Sequence, residues 1–267
     1  MRKFNLFSIA LICAGMIFAG CNKKSNDPDG FINAKVENGN SYDFDIVKAI
    51  MEYDDGHMTL AEVVAEGEYK NGGFSLNLPE TINPMYLSLM YDDEPLPGQE
   101  ITISDETVMG NGIFIEAYKS GVYMGDFNYV GVTFEETTLS ISFSISQGFY
   151  LYVDKDLTMS GSEYVIEEFL GIDIETNINA DVALKKGWNI MYVTLSFSIG
   201  VGGASGTGLV STKNPGGLKW YFEDDYLNDL DLGGTTMEKS SQSKAVSQYH
   251  NDIQKIISKY RFFPNSN

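Results

Sequence analysis

The chain is poor in the residues that carry most catalytic and metal-binding chemistry. It holds two cysteines, Cys13 and Cys21, and two histidines, His57 and His250, in 267 residues. A Ser-His-Asp triad needs a histidine beside an activated serine, and His57 sits in a turn-like stretch (DDGHM) far from any such motif. No G-x-S-x-G elbow is present, since Gly203-Ala-Ser205-Gly-Thr207 departs at its last position. Zinc is excluded on the same ground, with no histidine pair at helical spacing and too few thiols. Positive charge is scarce as well: 18 basic side chains stand against 37 acidic ones, a formal net of −19. Binding to nucleic acid rests on neutralising phosphates with Lys and Arg, and lying flat on anionic lipid needs the same residues. Both are excluded by this balance.

Long apolar runs are absent but for one. Arg2 and Lys3 precede an apolar stretch from Phe4 to Phe18, the layout of a secretory signal peptide and shorter than the ~20 residues of a spanning helix. It ends in Phe18-Ala19-Gly20-Cys21, which resembles the lipobox of bacterial lipoproteins, with Phe18 where leucine is commoner. The resemblance implies that the Cys21 thiol takes a diacylglyceryl group, that residues 1–20 are removed, and that the new amino group is acylated with a palmitate-type chain. Two or three acyl chains, at ~0.8 kcal/mol per buried methylene, anchor a protein stably. The mature chain then has no free thiol and no disulfide. It keeps 16 basic residues of the 18, since Arg2 and Lys3 leave with the signal peptide. Asn22 is not the aspartate that tends to hold enteric lipoproteins at the inner membrane. The expected location is therefore the outer membrane, on its surface or periplasmic face.

Alternation of apolar and polar residues dominates the body, the period of half-buried strands. It is clearest in Phe74–Leu78, Leu139–Ile145 and Val193–Ile199. Shorter strands are expected at 32–36, 46–51, 86–91, 113–118, 149–153, 182–184 and 218–222. Asn38-Gly39, Asp55-Gly56, Asn71-Gly72-Gly73 and Pro215-Gly216-Gly217 supply turns. Many short strands with glycine turns predict a mainly β chain of antiparallel sandwiches. One segment differs. Val246, Tyr249, Ile253, Ile256, Ile257 and Tyr260 fall on one helical face, with Lys255, Lys259 and Arg261 toward the end where the helix dipole favours cations. The expected organisation is thus a signal peptide (1–20), a lipidated tether (21–30), a first β-sandwich domain (31–147), a second β domain (148–232) and a C-terminal amphipathic helical segment (233–267). One large β domain is the alternative to two.

The stretches "VENGNSYDFDIVKAI", "LAEVVAEGEYKNGGFSLNLPE" and "YKSGVYMGDFNYVG", with "LYVDKDLTMSGS", "LKKGWNIMYVTLS" and "PGGLKWYF" later, resemble exported Bacteroidetes-type lipoproteins of uncharacterised function. "GGFSLNLP" is similar to the carboxypeptidase-regulatory-like, prealbumin-type sandwich, which implies a module that binds or spaces. Neither resemblance brings catalytic residues.

Gly200–Gly208 (GVGGASGTG) invites a phosphate-loop reading, but Leu209 stands where the lysine belongs and the sequence beyond it reads as strand. A long hairpin loop is expected instead. Acidic groups at Asp92-Asp93-Glu94, Asp154/Asp156, Glu223-Asp224-Asp225 and Asp229/Asp231 are candidates for a glycosidase pair, which needs ~5 to 10 Å between carboxyls. Asp229-Leu-Asp231-Leu-Gly233 begins like a calcium loop, but Ser240 replaces the bidentate glutamate. No cofactor is expected, with calcium on irregular acidic loops as the alternative, and no metal ligand is assigned. Of the two tryptophans, Trp220 shares a strand face with Leu218 and Phe222 and should be core. Trp188 and Tyr192 fall opposite Val193, Leu195, Phe197 and Ile199, so they are expected to face outward as a stacking ledge for a sugar ring.

These readings converge on a non-catalytic, outer-membrane-anchored lipoprotein that binds a glycan or an envelope or host protein. A structural or adhesin-like assembly component is the alternative. A glycosidase using paired carboxylates comes third.

Overall fold

The computed structural model describes residues 30–54, 59–90, 101–137, 140–169, 172–200, 203–223 and 225–226. The expected signal peptide, Cys21, both histidines, Asp92–Glu94, Asp224, Asp229, Asp231 and the expected C-terminal helix lie outside the described residues. Among those described, fifteen strands follow in chain order: β1 (Phe31–Lys35), β2 (Ile46–Asp54), β3 (Thr59–Glu68), β4 (Gly73–Asn77), β5 (Ser88–Leu89), β6 (Thr102–Ile103), β7 (Met109–Gly112), β8 (Phe114–Lys119), β9 (Val122–Glu136), β10 (Ser140–Val153), β11 (Leu157–Phe169), β12 (Ile172–Leu184), β13 (Gly187–Gly200), β14 (Gly203–Ser211) and β15 (Lys219–Phe222). Two 3-10 turns, Gly39–Ser41 and Pro84–Tyr86, are the described helical elements. The chain is mainly β.

β1 and β4 form a separate two-stranded ribbon. The other thirteen strands join in one sheet, ordered β3-β2-β8-β9-β10-β13-β14-β12-β11-β6, with β15 added to β9 and β5 and β7 reaching β10. Pairing is antiparallel except between β12 and β14, which run parallel. β14 turns back from β13 and slots between β13 and the earlier β12, so it runs in the direction of β12.

Two apolar cores share this sheet. In the first, Ile32 and Leu76 of the ribbon, with Leu78 just after β4, pack with Val47, Met51, Ile115 and Phe127. In the second, Ile145, Leu151, Ile178, Leu184, Val193 and Leu195 pack together beneath Val108 and Met90. Successive strand residues point to opposite faces, so β10 serves both: Leu151 and Val153 enter the second core, Tyr152 the first. β9 and β13 do the same through Phe127 and Val130, and through Trp188 and Met191.

The expected strands 139–145 and 149–153 are one continuous strand, β10. Gln147 and Gly148, at the expected boundary between sandwiches, lie inside it. Gly148 is there for packing rather than for a turn: a Cβ would sit 2.7 Å from the Tyr129 ring and 3.2 Å from Tyr192. The expected hairpin loop over 200–208 is also strand from Gly203 onward. Gly206 and Gly208 face inward, where a Cβ would lie 2.3 Å from Thr176 Oγ1 and 3.0 Å from Ile178 Cγ1 respectively. These glycines bring β14 close to its neighbours, a use of glycine that looks like loop in sequence. Glycine does mark a turn between β8 and β9, where Ser120 and Gly121 take φ of 50° and 80°, the backbone of a tight hairpin.

Candidate functional site

On β9, β10, β13 and β14 the residues that enter the second core alternate with short hydroxyl side chains on the opposite face. Register aligns them across the strands. Thr133 pairs with Ser144, Ser144 with Ser196 and Ser196 with Thr207. Glu135, Ser142, Ser198 and Ser205 form the next row toward the hairpin tips. Toward the first core, Gly131, Ser146, Thr194 and Leu209 form another. Neighbouring strands lie ~4.8 Å apart and same-face residues ~6.8 Å apart along a strand, so the hydroxyls make a regular grid. Two cross-strand pairs are hydrogen-bonded: Ser196 Oγ donates to Ser144 Oγ at 2.8 Å, and Ser146 Oγ and Thr194 Oγ1 lie 2.8 Å apart.

The first two rows line a half-open groove of about 340 Å³. Phe143, Phe197 and Gly206 also line it. The two phenylalanine side chains pack on the second core, so alternation leaves these residues to contribute main chain, reached because serine is short. At one end a wall rises over Gly131, where a Cβ would meet Gly217 O at 3.1 Å and Leu218 Cα at 3.4 Å. Beyond this wall Tyr129 and Tyr192 close over Gly148. Burial, with the nearby Tyr129 second, pushes the Tyr192 hydroxyl up to about 12 against an opposing Asn214 hydrogen bond. It stays protonated.

The expected stacking ledge is not exposed. Trp188 is 7% and Tyr192 6% accessible. Trp188 Nε1 donates to Pro79 O at 2.7 Å and its ring meets Tyr152 edge-on at 5.5 Å. Both residues do oppose Val193 and Leu195, as strand parity requires. That face of β13, however, meets the first core at Trp188 rather than water. Trp220 is buried as expected, stacked on Tyr129 at 5.1 Å.

The expected acid groups are tied to their surroundings. Asp154 Oδ1 accepts from Met109 N at 2.8 Å, and Asp156 takes Lys185 Nζ at 2.7 Å and Lys186 N at 3.0 Å. Asp156 is accordingly lowered by the Lys185 hydrogen bond first and the Lys186 amide second. Glu223 Oε1 accepts from Asp126 N at 2.6 Å. That leads to a cluster which sequence spacing did not reveal. Glu66, Lys48, Glu116 and Asp126 form one row across β3, β2, β8 and β9, on the face away from the first core. Lys48 lies 3.8 Å from Glu66 and 4.4 Å above the Tyr118 ring. Burial pushes Asp126 up to about 6; Tyr123 opposes this by hydrogen bonding, and Glu223, Glu116 and Glu52 add to it. Glu52 rises through burial and Glu116. Tyr118 is pushed up to about 12, chiefly by its hydrogen bond to Glu116. Among the described residues no three acidic or histidine side chains converge to hold a metal ion.

No family model, curated protein or solved structure matches this chain. The groove therefore stands on its own chemistry: neutral hydroxyls and one carboxylate at Glu135. Its lining residues include no histidine, lysine or arginine, so they offer no oxyanion donor of positive charge.

Proposed function

We propose that the chain is an exported Bacteroidetes-type lipoprotein, held at the outer membrane through acylated Cys21, whose β body binds a glycan or an envelope partner without catalysis. Two antiparallel β-sandwich domains and a C-terminal amphipathic helix complete this reading. The observation that carries it is the hydroxyl groove on β9, β10, β13 and β14, a recess lined by serine and threonine hydroxyls with a single carboxylate, Glu135. The apolar run ending at Cys21 supports the anchor.

Assembly with other chains is the second reading, favoured by β3. It ends the large sheet and exposes Val63 at 49%, and such edges pair with other strands.

The anchor is tested by labelling growing cells with alkynyl palmitate. Wild type should carry label and fractionate with membrane, and Cys21→Ser should lose both; a labelled Cys21→Ser protein would refute the tether. Protease shaving of intact cells then assigns the leaflet. Concentration-dependent mass of the detergent-solubilised protein would favour assembly over a solitary binder.

A further inference from the structure

We propose that the groove takes an uncharged, polyhydroxylated ligand: a stretch of neutral glycan recognised by hydroxyl exchange on Ser144, Ser196 and Thr207 rather than by ring stacking or through calcium. The inference rests on the binding role proposed above and specifies its ligand.

Each alternative ligand class meets a physical obstacle in the lining. An anion finds no cation among the lining residues, and Glu135 with the chain's net charge of −19 repels it. A bare metal ion finds a single carboxylate, too few for the six to eight oxygens calcium prefers. An apolar ligand would strip water from two rows of hydroxyls without replacing their hydrogen bonds, at a cost of ~1–3 kcal/mol for each group left unsatisfied. An extended peptide gains most of its affinity from main-chain bonds at a sheet edge. The groove lies on a sheet face, where the main-chain groups already pair between strands.

A polyol meets none of these obstacles. Each serine or threonine hydroxyl offers one donor and two acceptor sites. The Ser196-to-Ser144 bond uses one donor and one acceptor site of that pair and leaves the rest for a ligand. Short side chains on paired strands are already held in place, so little rotamer freedom is lost on binding. At about 340 Å³ the recess is at the small end of ligand sites. It is half-open, which suits a few sugar units of a longer chain.

The test is affinity electrophoresis of the detergent-solubilised lipoprotein through gels containing neutral polysaccharides (dextran, laminarin, mannan, xylan) or acidic ones (polygalacturonate, heparin). Retardation by at least one neutral polymer and by neither acidic one is expected, unchanged by EDTA. Ser196→Leu, which fills the floor, should weaken it at least tenfold. Thr207→Val, which removes a hydroxyl at an exposed position and spares the fold, should weaken it severalfold. Preference for an acidic polymer, or loss with EDTA, overturns the ligand class. Equal retention of wild type and both variants overturns the groove while leaving the binding role standing. Retention on no neutral polymer overturns this inference, and a saturable envelope protein partner found alongside would preserve the broader reading.

Discussion

Replacing Asp126 with asparagine should stabilise the protein at neutral pH and do progressively less in acid. The carboxyl sits half out of water, in register with Glu116 and bonded through its own amide to Glu223. Its proton affinity in the folded chain corresponds to about 6, against an ordinary 3.8. A carboxyl raised on folding contributes stability that is complete below 3.8, declines as pH climbs, and is gone above about 6. At 1.36 kcal/mol for each tenfold in proton affinity, the interval amounts to roughly 3 kcal/mol. Water still reaches the group, and screening reduces this to ~1–2 kcal/mol. An amide in place of the carboxyl cannot ionise, so Asp126→Asn should exceed wild type by ~1–2 kcal/mol at pH 7.5 and by about half that at pH 5. Urea unfolding followed by tryptophan fluorescence is the assay, because Trp188 and Trp220 both lie in the first core, on the other face of the strands that carry the acidic row. A variant less stable than wild type at pH 7.5, or an advantage that does not change with pH, would refute the reasoning.

Three other substitutions probe different contacts by the same urea assay. Trp188→Ala should cost ~3–5 kcal/mol, the range for a buried aromatic, because it empties part of the first core and orphans Pro79 O; a loss below about 1 kcal/mol would mean the ring is not core. Asn111 is 2% exposed and ties Glu52 O, Tyr86 O and Gly112 N together, so Asn111→Ala should cost ~2–4 kcal/mol through the groups left unpaired. Gly206→Ala should destabilise by ~1–3 kcal/mol through overpacking against Thr176, and pairing it with Thr176→Ser should leave that cost, since the blocking atom is the hydroxyl oxygen.

Alternation in sequence located strands well where serine and large apolar residues take turns, as in residues 140–146 of β10, 193–199 of β13 and in β4, because those stretches send their large apolar side chains to one face. It was silent on β3, whose "TLAEVVAEGE" carries helix-forming Ala and Glu at a sheet edge that tertiary pairing overrides. It lost β14 to its glycines, which local reading assigns to loops. The serine parity that builds the groove was visible in "SISFSIS" and "VTLSFSIG", but the side-by-side alignment of those runs depends on pairing across about fifty residues. The acidic row was invisible for the same reason, its members being drawn from four strands. For Trp188 the face was legible, and what lay against that face was not.

The first core has a further property. Val36, six residues after the described chain begins, bridges to Trp220, and Glu37 N bonds Trp220 O at 2.8 Å. Trp220 is itself part of that core, stacked over Tyr129. The amino-terminal portion of the body is therefore left with an open flank until residue 220 arrives. Contacts so remote along the chain slow folding, because loop closure must precede the reward. A chain cut before Lys219 would therefore lack the Trp220 side of the first core, so this core is complete only when nearly all of the described body is present.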